Sequence, residues 1–139
     1  MGFQEKVNKI KIVRNKDKGN ALERYVKSFF HAIDGIKYAV VFEHNIIIII
    51  VAAIIAIIFG LLFRISSVEW LFCIIIIGLI SATELINTSI EALVDLVSPE
   101  IHPLAKIAKD TASSAVLILC ITALIGALII FVPKIIGLF

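Results

Sequence analysis

The sequence predicts an all-α membrane protein with an N-terminal amphipathic surface helix followed by three transmembrane helices. Hydrophobic residues make up 60% of the 139 residues and charged residues only 17%, and the mean hydropathy is +1.08. A chain this short cannot bury so much apolar surface in water, because small domains hide only a modest share of their surface on folding. The composition therefore excludes a soluble monomer, and it also excludes a disordered chain.

The charged residues are concentrated in two stretches of the chain. Of the 13 basic and 11 acidic residues, 21 lie in residues 1–44 and 84–110, and only Arg64 and Glu69 interrupt residues 45–83. The first stretch sums to +4 and the second to −3. We therefore expect any chemistry to take place in these two polar stretches.

The N-terminal region predicts a tail and a surface helix. Residues 1–20 are polar and are expected to form a loose tail, ahead of a single membrane domain at residues 21–139. At about residues 21–43, apolar side chains recur every three or four residues with basic side chains between them. This pattern is typical of a helix that lies in the membrane interface. A soluble helix packed on a partner is the alternative.

Three apolar stretches predict the transmembrane helices, at about residues 45–63, 68–97 and 111–132. The first has no polar side chain after its opening residue, and its length is sufficient to cross the hydrocarbon core. The apolar part of the second is too short to cross unless the helix continues through Glu84. We therefore predict one long helix that projects beyond the hydrocarbon on one side.

Prolines and basic residues predict the connections and the orientation. Pro99 and Pro103 mark a turn after the second span, with helix resuming near Leu104, and Pro133 is expected to end the third span. Eleven of the 13 Lys and Arg residues lie in the N-terminal region or in the 98–110 loop. Both are therefore expected on the cytoplasmic side, with the C-terminus outside.

Four polar residues share one narrow face of the second predicted span, because their spacing keeps them within roughly 80° of one another. They are Glu84, Asn87, Glu91 and Asp95. A solvated helix face accounts for Asp95 and Glu91 but poorly for Glu84, because ionisable side chains at the hydrocarbon edge are costly and usually functional. Two carboxylates with an amide between them suit Mg²⁺, and a carboxylate at that depth suits a general base for a lipid hydroxyl.

Lys109 and Arg24 can hold phosphate oxygens. Together with the four polar residues of the second span, they indicate phosphoryl transfer from Mg-ATP to a lipid alcohol. The sequence contains neither a P-loop nor the Gly-rich loop of protein kinases. Two other classes stay open. A small oligomeric transporter or channel is the first, although transporters favour broken helices and midplane sites. A structural membrane adaptor is the second, and it leaves Glu84 unexplained.

Two segments carry a family resemblance. Glu84-Leu-Ile-Asn-Thr-Ser-Ile-Glu91, followed by Asp95 and by His102-Pro-Leu-Ala-Lys-Ile-Ala-Lys109-Asp110, resembles the signature of the bacterial integral-membrane diacylglycerol kinase family. The His-Pro-Leu-Ala-Lys element and the Ile130-Phe-Val-Pro-Lys ending resemble its undecaprenol kinase branch. The resemblance extends from about residue 22 to the C-terminus.

The resemblance implies an ATP-dependent lipid kinase that uses Mg²⁺. Undecaprenol is the favoured lipid alcohol, and diacylglycerol is the alternative. It also implies a homotrimer with active sites shared between subunits, placed in the bacterial cytoplasmic membrane as a multi-pass protein. No nucleic-acid partner is expected.

The resemblance further implies roles for individual residues. Glu84 corresponds to the catalytic base, Glu43 and Glu91 to the metal-binding carboxylates, and Asn87 to the amide that supports them. The implied ATP contacts are Arg24, Glu43, Glu91, Asp95, Glu100, His102, Lys109 and Asp110. The implied lipid contacts are Arg24, Glu84 and Ser113.

Overall fold

The computed structural model describes residues 20–98, 100 and 102–137. Apart from Asn20, the predicted tail at residues 1–20 lies outside the described residues. The described residues form four helices, which are α1 (Ala21–Phe42), α2 (His44–Leu62), α3 (Ser67–Val97) and α4 (Pro103–Ile136). The predicted all-α class is therefore confirmed.

The described residues divide into two compact units, of which the first ends at Tyr38 and the second begins at Ala39. Most of α1 belongs to the first unit. Along this helix the Phe29 and Phe30 rings meet edge to face with centroids 6.2 Å apart, and Lys37 Nζ lies 3.5 Å from Asp34 Oδ1. The predicted N-terminal helix is thus present.

The second unit contains three helices that are long and apolar enough to cross a membrane, namely α2, α3 and α4 with 19, 31 and 34 residues. At about 1.5 Å per residue, α3 is roughly 46 Å long, which exceeds the hydrocarbon thickness of about 30 Å. The prediction of one unbroken helix that continues through Glu84 is confirmed.

The predicted end of the third span at Pro133 is wrong, because α4 continues to Ile136. Proline lacks an N–H group, so it loses one backbone hydrogen bond, but it does not have to end a helix in its last turn. The Pro133 carbonyl still accepts a hydrogen bond from the Gly137 N–H at 3.0 Å. The helix therefore keeps one further turn beyond the proline.

At one end of the three long helices, side chains pack into an aromatic core that we call the aromatic end. The ring centroids of Phe59 and Phe63 lie 5.9 Å apart, and that of Phe131 lies 6.0 and 6.2 Å from them. The buried members of this core are Ile65, Cys73, Ile130 and Phe131. Aromatic pairs at this spacing add about 0.5–1.5 kcal/mol to the stabilisation that their burial provides.

Two glycines let the helices approach each other closely near the aromatic end. A Cβ atom at Gly60 would lie 2.7 Å from two ring atoms of Trp70, and one at Gly126 would overlap the Phe72 ring. Any larger side chain at these positions must displace an aromatic ring.

Ser66, Glu69 and Lys134 pair with one another at the aromatic end. Ser66 N–H donates to Glu69 Oε2 at 2.6 Å, and Glu69 N–H donates to Ser66 Oγ at 3.3 Å, which forms a capping box at the start of α3. Lys134 Nζ on α4 lies 3.3 Å from Glu69 Oε1. The arrangement satisfies the helix N-terminus and links α3 to α4.

Candidate active site

A cavity of about 300 Å³ lies between α2, α3 and α4 at the opposite end of these helices, which we call the acidic end. Its polar lining residues are Asn45, Glu84, Asn87, Glu91 and Ser113. Its apolar lining residues are Ile48, Ile49, Val116, Leu117 and Cys120. A few convergent polar groups on largely apolar walls are typical of a small-molecule site.

Glu84 is the most deeply buried side chain of this cavity. It is 1% exposed, and neither carboxylate oxygen has a hydrogen-bond partner among the described residues. Helix α3 holds it there because no glycine or proline interrupts the chain from Leu79 to Val97, so the helix carries the carboxylate into the packed region. Burying an unpaired carboxylate costs several kcal/mol. The position is therefore unfavourable for stability and suits a group that contacts a ligand bound in the cavity.

One helical turn further along α3, Asn87 contacts a second carboxylate of the cavity. Asn87 Nδ2 donates to Glu91 Oε1 at 3.0 Å. Asn87 Oδ1 is buried and has no partner among the described residues, so an acceptor oxygen remains available beside the two carboxylates. The contact fixes the orientation of Glu91 and leaves its second oxygen for another ligand.

The donor set at the acidic end fits Mg²⁺ that arrives with ATP. Mg²⁺ is commonly held by one or two carboxylates together with substrate phosphates and water, and Glu84, Asn87 and Glu91 present such oxygens to one cavity. Within residues 20–98, 100 and 102–137, no group of three or more His, Cys, Asp or Glu side chains is arranged to hold a metal ion. Phosphate oxygens and water would therefore have to complete the coordination that the described residues offer.

Glu43, the other carboxylate predicted to bind metal, does not line the cavity. It is the half-buried N-cap residue of α2, and its side chain makes no capping hydrogen bond. Asn45, two residues further on, lines the cavity instead. Asn45 was assigned no role from the sequence. The signal that could have identified it is a polar amide at the start of an apolar span.

Thr88 is a second buried polar residue to which the sequence alone assigned no role. Its side chain is 8% exposed, and its Oγ1 is buried without a partner among the described residues. By contrast, Ser81 and Ser89 on the same helix each donate to the carbonyl four residues earlier, at 2.8 Å. The position of Thr88 one helical turn after Glu84 was the sequence signal that could have identified it.

Three of the charged residues predicted to contact the nucleotide, Asp95, Lys109 and Asp110, form ion pairs and do not line the cavity. Lys109 Nζ lies 2.9 Å from Asp95 Oδ1 and so connects α4 to α3 across the turn between them. Lys106 Nζ lies 2.9 Å from Asp110 Oδ2. A phosphate that binds Lys109 must therefore compete with Asp95.

The remaining predicted ATP contacts lie on the turn or on α1. Glu100 is exposed, and its carbonyl accepts a hydrogen bond from Ser98 Oγ at 3.1 Å. His102 is the N-cap of α4, where Nδ1 accepts from Leu104 N–H at 3.2 Å. Arg24 lies exposed on α1, in the other compact unit. Of the predicted site residues, the cavity thus brings together Glu84, Asn87, Glu91 and Ser113.

Comparisons with known proteins identify the family of this chain. The sequence model of prokaryotic diacylglycerol kinase matches residues 30–131, a range that includes every residue that lines the cavity. The chain is 42% identical to the undecaprenol kinase of Bacillus subtilis (strain 168) over 120 residues, which cover 86% of this chain and 98% of that protein. It is 39% identical to a diacylglycerol kinase of Helicobacter pylori over 101 residues, which cover 73% of this chain and 79% of that protein. The chain belongs to the prokaryotic diacylglycerol kinase family and is a lipid kinase.

Proposed function

We propose that this lipid kinase transfers the γ-phosphate of Mg-ATP to undecaprenol and that Glu84 is its general base. The observation that carries the proposal is the buried carboxylate of Glu84, which has no partner among the described residues and lines a cavity with apolar walls. A lipid hydroxyl and a phosphoryl donor must meet at such a boundary between apolar and polar surroundings.

The proposed reaction is a single displacement at phosphorus. One Glu84 oxygen accepts the proton of the lipid hydroxyl while the hydroxyl oxygen forms a bond to the γ-phosphorus of ATP. The bond between the γ-phosphorus and its bridging oxygen breaks, and ADP leaves. General base catalysis of this kind contributes about a hundred- to ten-thousand-fold to a rate. The apolar walls keep water away from the phosphoryl group and so favour transfer over hydrolysis.

The remaining residues have proposed roles in binding and orientation. Glu91 and Glu43 hold Mg²⁺, and Asn87 orients Glu91 through its hydrogen bond. When bound, the ion neutralises charge on the phosphates during transfer. Lys109 and Arg24 contact phosphate oxygens, and Ser113 lies beside the lipid hydroxyl. The other ATP contacts are assigned to Asp95, Glu100, His102 and Asp110.

The similarity to the Bacillus subtilis undecaprenol kinase, which extends over nearly the whole of that protein, supports undecaprenol as the substrate. Diacylglycerol is the second candidate, because relatives named diacylglycerol kinase are 39% and 40% identical to this chain. We further propose that the enzyme is a homotrimer with shared sites. In this proposal α1 lies in the interface of the bacterial cytoplasmic membrane, the acidic end faces the cytoplasm, and the C-terminus lies outside.

The test is phosphate transfer from labelled ATP in mixed micelles that contain either undecaprenol or diacylglycerol. We expect labelled undecaprenyl phosphate at a rate that depends on Mg²⁺, and less product from diacylglycerol. Faster transfer to diacylglycerol would reverse the choice of substrate. Transfer to neither lipid would contradict the proposed function.

A further inference from the structure

Three described side chains that line the cavity at the acidic end carry an N–H or O–H group, and they differ in whether that group is used. Asn87 Nδ2 donates to Glu91 Oε1 at 3.0 Å. Ser113 Oγ donates to the carbonyl of Asp110 at 3.2 Å. The side chain of Asn45 makes no hydrogen bond with any residue in 20–98, 100 and 102–137. Among the described lining residues, Asn45 therefore keeps its N–H groups available for a ligand.

Asn45 lies at the depth of Glu84, on the neighbouring helix. Helices α2 and α3 run antiparallel and meet at Gly60, where an added Cβ atom would lie 2.7 Å from the Trp70 ring. Asn45 precedes Gly60 by fifteen residues of α2. Leu85 follows Trp70 by the same number of residues of α3. At about 1.5 Å per residue each helix rises roughly 22 Å over this length, so Asn45 stands level with the residue that follows Glu84.

The charge of the cavity makes a neutral donor useful there. Glu84 and Glu91 bring two carboxylates to the wall that α3 forms, and the described lining residues include neither lysine nor arginine. The γ-phosphoryl group is itself anionic, and its charge is spread over three outer oxygens during transfer. A fixed donor that faces these oxygens lowers the barrier, because it acts where charge develops. The amide of Asn45 combines available N–H groups with the absence of negative charge.

We propose that Asn45 Nδ2 donates a hydrogen bond to an outer oxygen of the γ-phosphoryl group during its transfer to the lipid hydroxyl. The inference rests on the proposed function and adds a catalytic residue on α2 to the carboxylates of α3. Glu84 accepts the hydroxyl proton on one side of the phosphoryl group, and Asn45 contacts the group from the wall that α2 forms. The bonds made and broken at phosphorus remain those of the proposed displacement, and Asn45 forms no covalent bond.

A direct test measures nucleotide binding and needs no lipid substrate. Full-length protein in lipid nanodiscs with Mg²⁺ is titrated with ADP and with the β,γ-imido analogue of ATP, which carries the γ-phosphate. We expect Asn45→Ala to raise the Kd of the analogue about tenfold or more, because a hydrogen bond to a charged group is lost. The Kd of ADP should stay the same, since ADP lacks the γ-phosphate. An equal change for both nucleotides, or no change for either, would overturn the proposal.

His44→Ala is the matched control for this titration. His44 is adjacent to Asn45 at the start of α2, is also exposed and does not line the cavity. This variant should bind both nucleotides as the parent protein does. A selective loss of analogue binding in His44→Ala as well would show that the start of α2 acts as a whole, and it would overturn the assignment to the Asn45 amide.

A kinetic test with Asn45→Asp separates donation to phosphate from coordination of the metal. Aspartate keeps the shape of asparagine but replaces the NH₂ group with a second acceptor oxygen. We expect kcat for undecaprenol to fall about a hundredfold or more, and further than in Asn45→Ala, because the new carboxylate repels the phosphoryl oxygens. If Asn45→Asp is more active than Asn45→Ala and needs less Mg²⁺, Asn45 binds the metal through Oδ1, and the proposal is overturned.

A second variant covers the case in which Asn45→Ala does not accumulate in the membrane. Asn45→Leu also removes the donor and places an apolar side chain at the start of an apolar span, and its binding of the two nucleotides is compared in the same way. Transfer to no lipid by the parent enzyme would contradict the proposed function. An active parent enzyme with unchanged analogue binding in these variants would contradict only the role of Asn45.

Discussion

The two ends of the α2–α4 unit satisfy their polar groups in opposite ways. At the aromatic end, Ser66 and Glu69 form a reciprocal capping box, and Glu69 also pairs with Lys134. At the acidic end, both oxygens of Glu84 and Oδ1 of Asn87 are buried without a partner among the described residues. Among the described residues, α3 therefore has a fully paired cap at one end and buried oxygens without a partner towards the other.

This difference separates stability from function along one pair of helices. Paired caps and packed rings lower the free energy of the folded state, whereas a buried carboxylate without a partner raises it. Proteins retain such unfavourable groups where a reaction needs them. The comparison predicts that substitutions at the acidic end reduce activity and spare stability, and that those at the aromatic end do the reverse.

The largest expected effect is that of Glu84→Gln. Turnover should fall by about a hundred- to ten-thousand-fold, because the amide cannot accept the hydroxyl proton. The Tm should stay the same or rise, since a neutral amide costs less to bury than a carboxylate that has no partner among the described residues. Transfer of labelled phosphate and thermal unfolding in detergent measure the two quantities. Near-normal turnover would remove Glu84 from the role of base.

The next effect concerns the hydrogen bond from Asn87 to Glu91. Asn87→Ala should raise the Mg²⁺ concentration needed for half-maximal activity about 10- to 100-fold, because Glu91 loses the contact that orients it. Ser89→Ala is the matched control, since Ser89 is exposed on the same helix and bonds only to a backbone carbonyl. An unchanged Mg²⁺ titration for Asn87→Ala would contradict the proposed metal site.

At the aromatic end, Gly126→Ala should destabilise the fold by about 1–3 kcal/mol, because the added Cβ displaces the Phe72 ring. Gly78→Ala is the control, since no atom lies within 4 Å of a Cβ built at that position. Equilibrium unfolding of both variants tests the difference. An equal loss of stability at both glycines would show that the Phe72 contact is not the cause.

The smallest expected effect is that of Lys134→Met, which removes the ion pair with Glu69. The two side chains are 28% and 26% exposed, and ion pairs that keep contact with solvent contribute little and are screened by salt. The Tm should fall by less than in Gly126→Ala, and the difference from the parent protein should shrink at high salt. A salt-independent loss would indicate that the lysine stem contributes by packing.

The fold could be predicted from the sequence to the extent that it depends on apolar run length. The long helix through Glu84 could be predicted because the apolar stretch before Glu84 is too short to cross the hydrocarbon. The helix therefore had to continue through that residue. The end of α4 could not be predicted from Pro133. Proline removes one backbone hydrogen bond, but the last helical turn can still form after it. Side-chain spacing alone does not decide between these outcomes.

The candidate site could be predicted where its residues share one helix face. The spacing of Glu84, Asn87 and Glu91 indicated a common face, and all three line one cavity. The pairing of Asp95 with Lys109 could not be predicted, because it depends on how α3 and α4 meet across the turn. A second cavity between the same three helices, with largely apolar walls, likewise depends on how the helices pack, which no single periodicity encodes.

The acidic end is expected to serve function and the aromatic end stability. The most direct test compares Glu84→Gln and Gly126→Ala in the same detergent and measures undecaprenol phosphorylation and Tm for each variant. We expect Glu84→Gln to lose turnover at an unchanged or higher Tm. We expect Gly126→Ala to unfold at a lower temperature but to retain turnover per folded molecule. Loss of both properties in each variant, in similar proportion, would contradict the division of function and stability between the two ends.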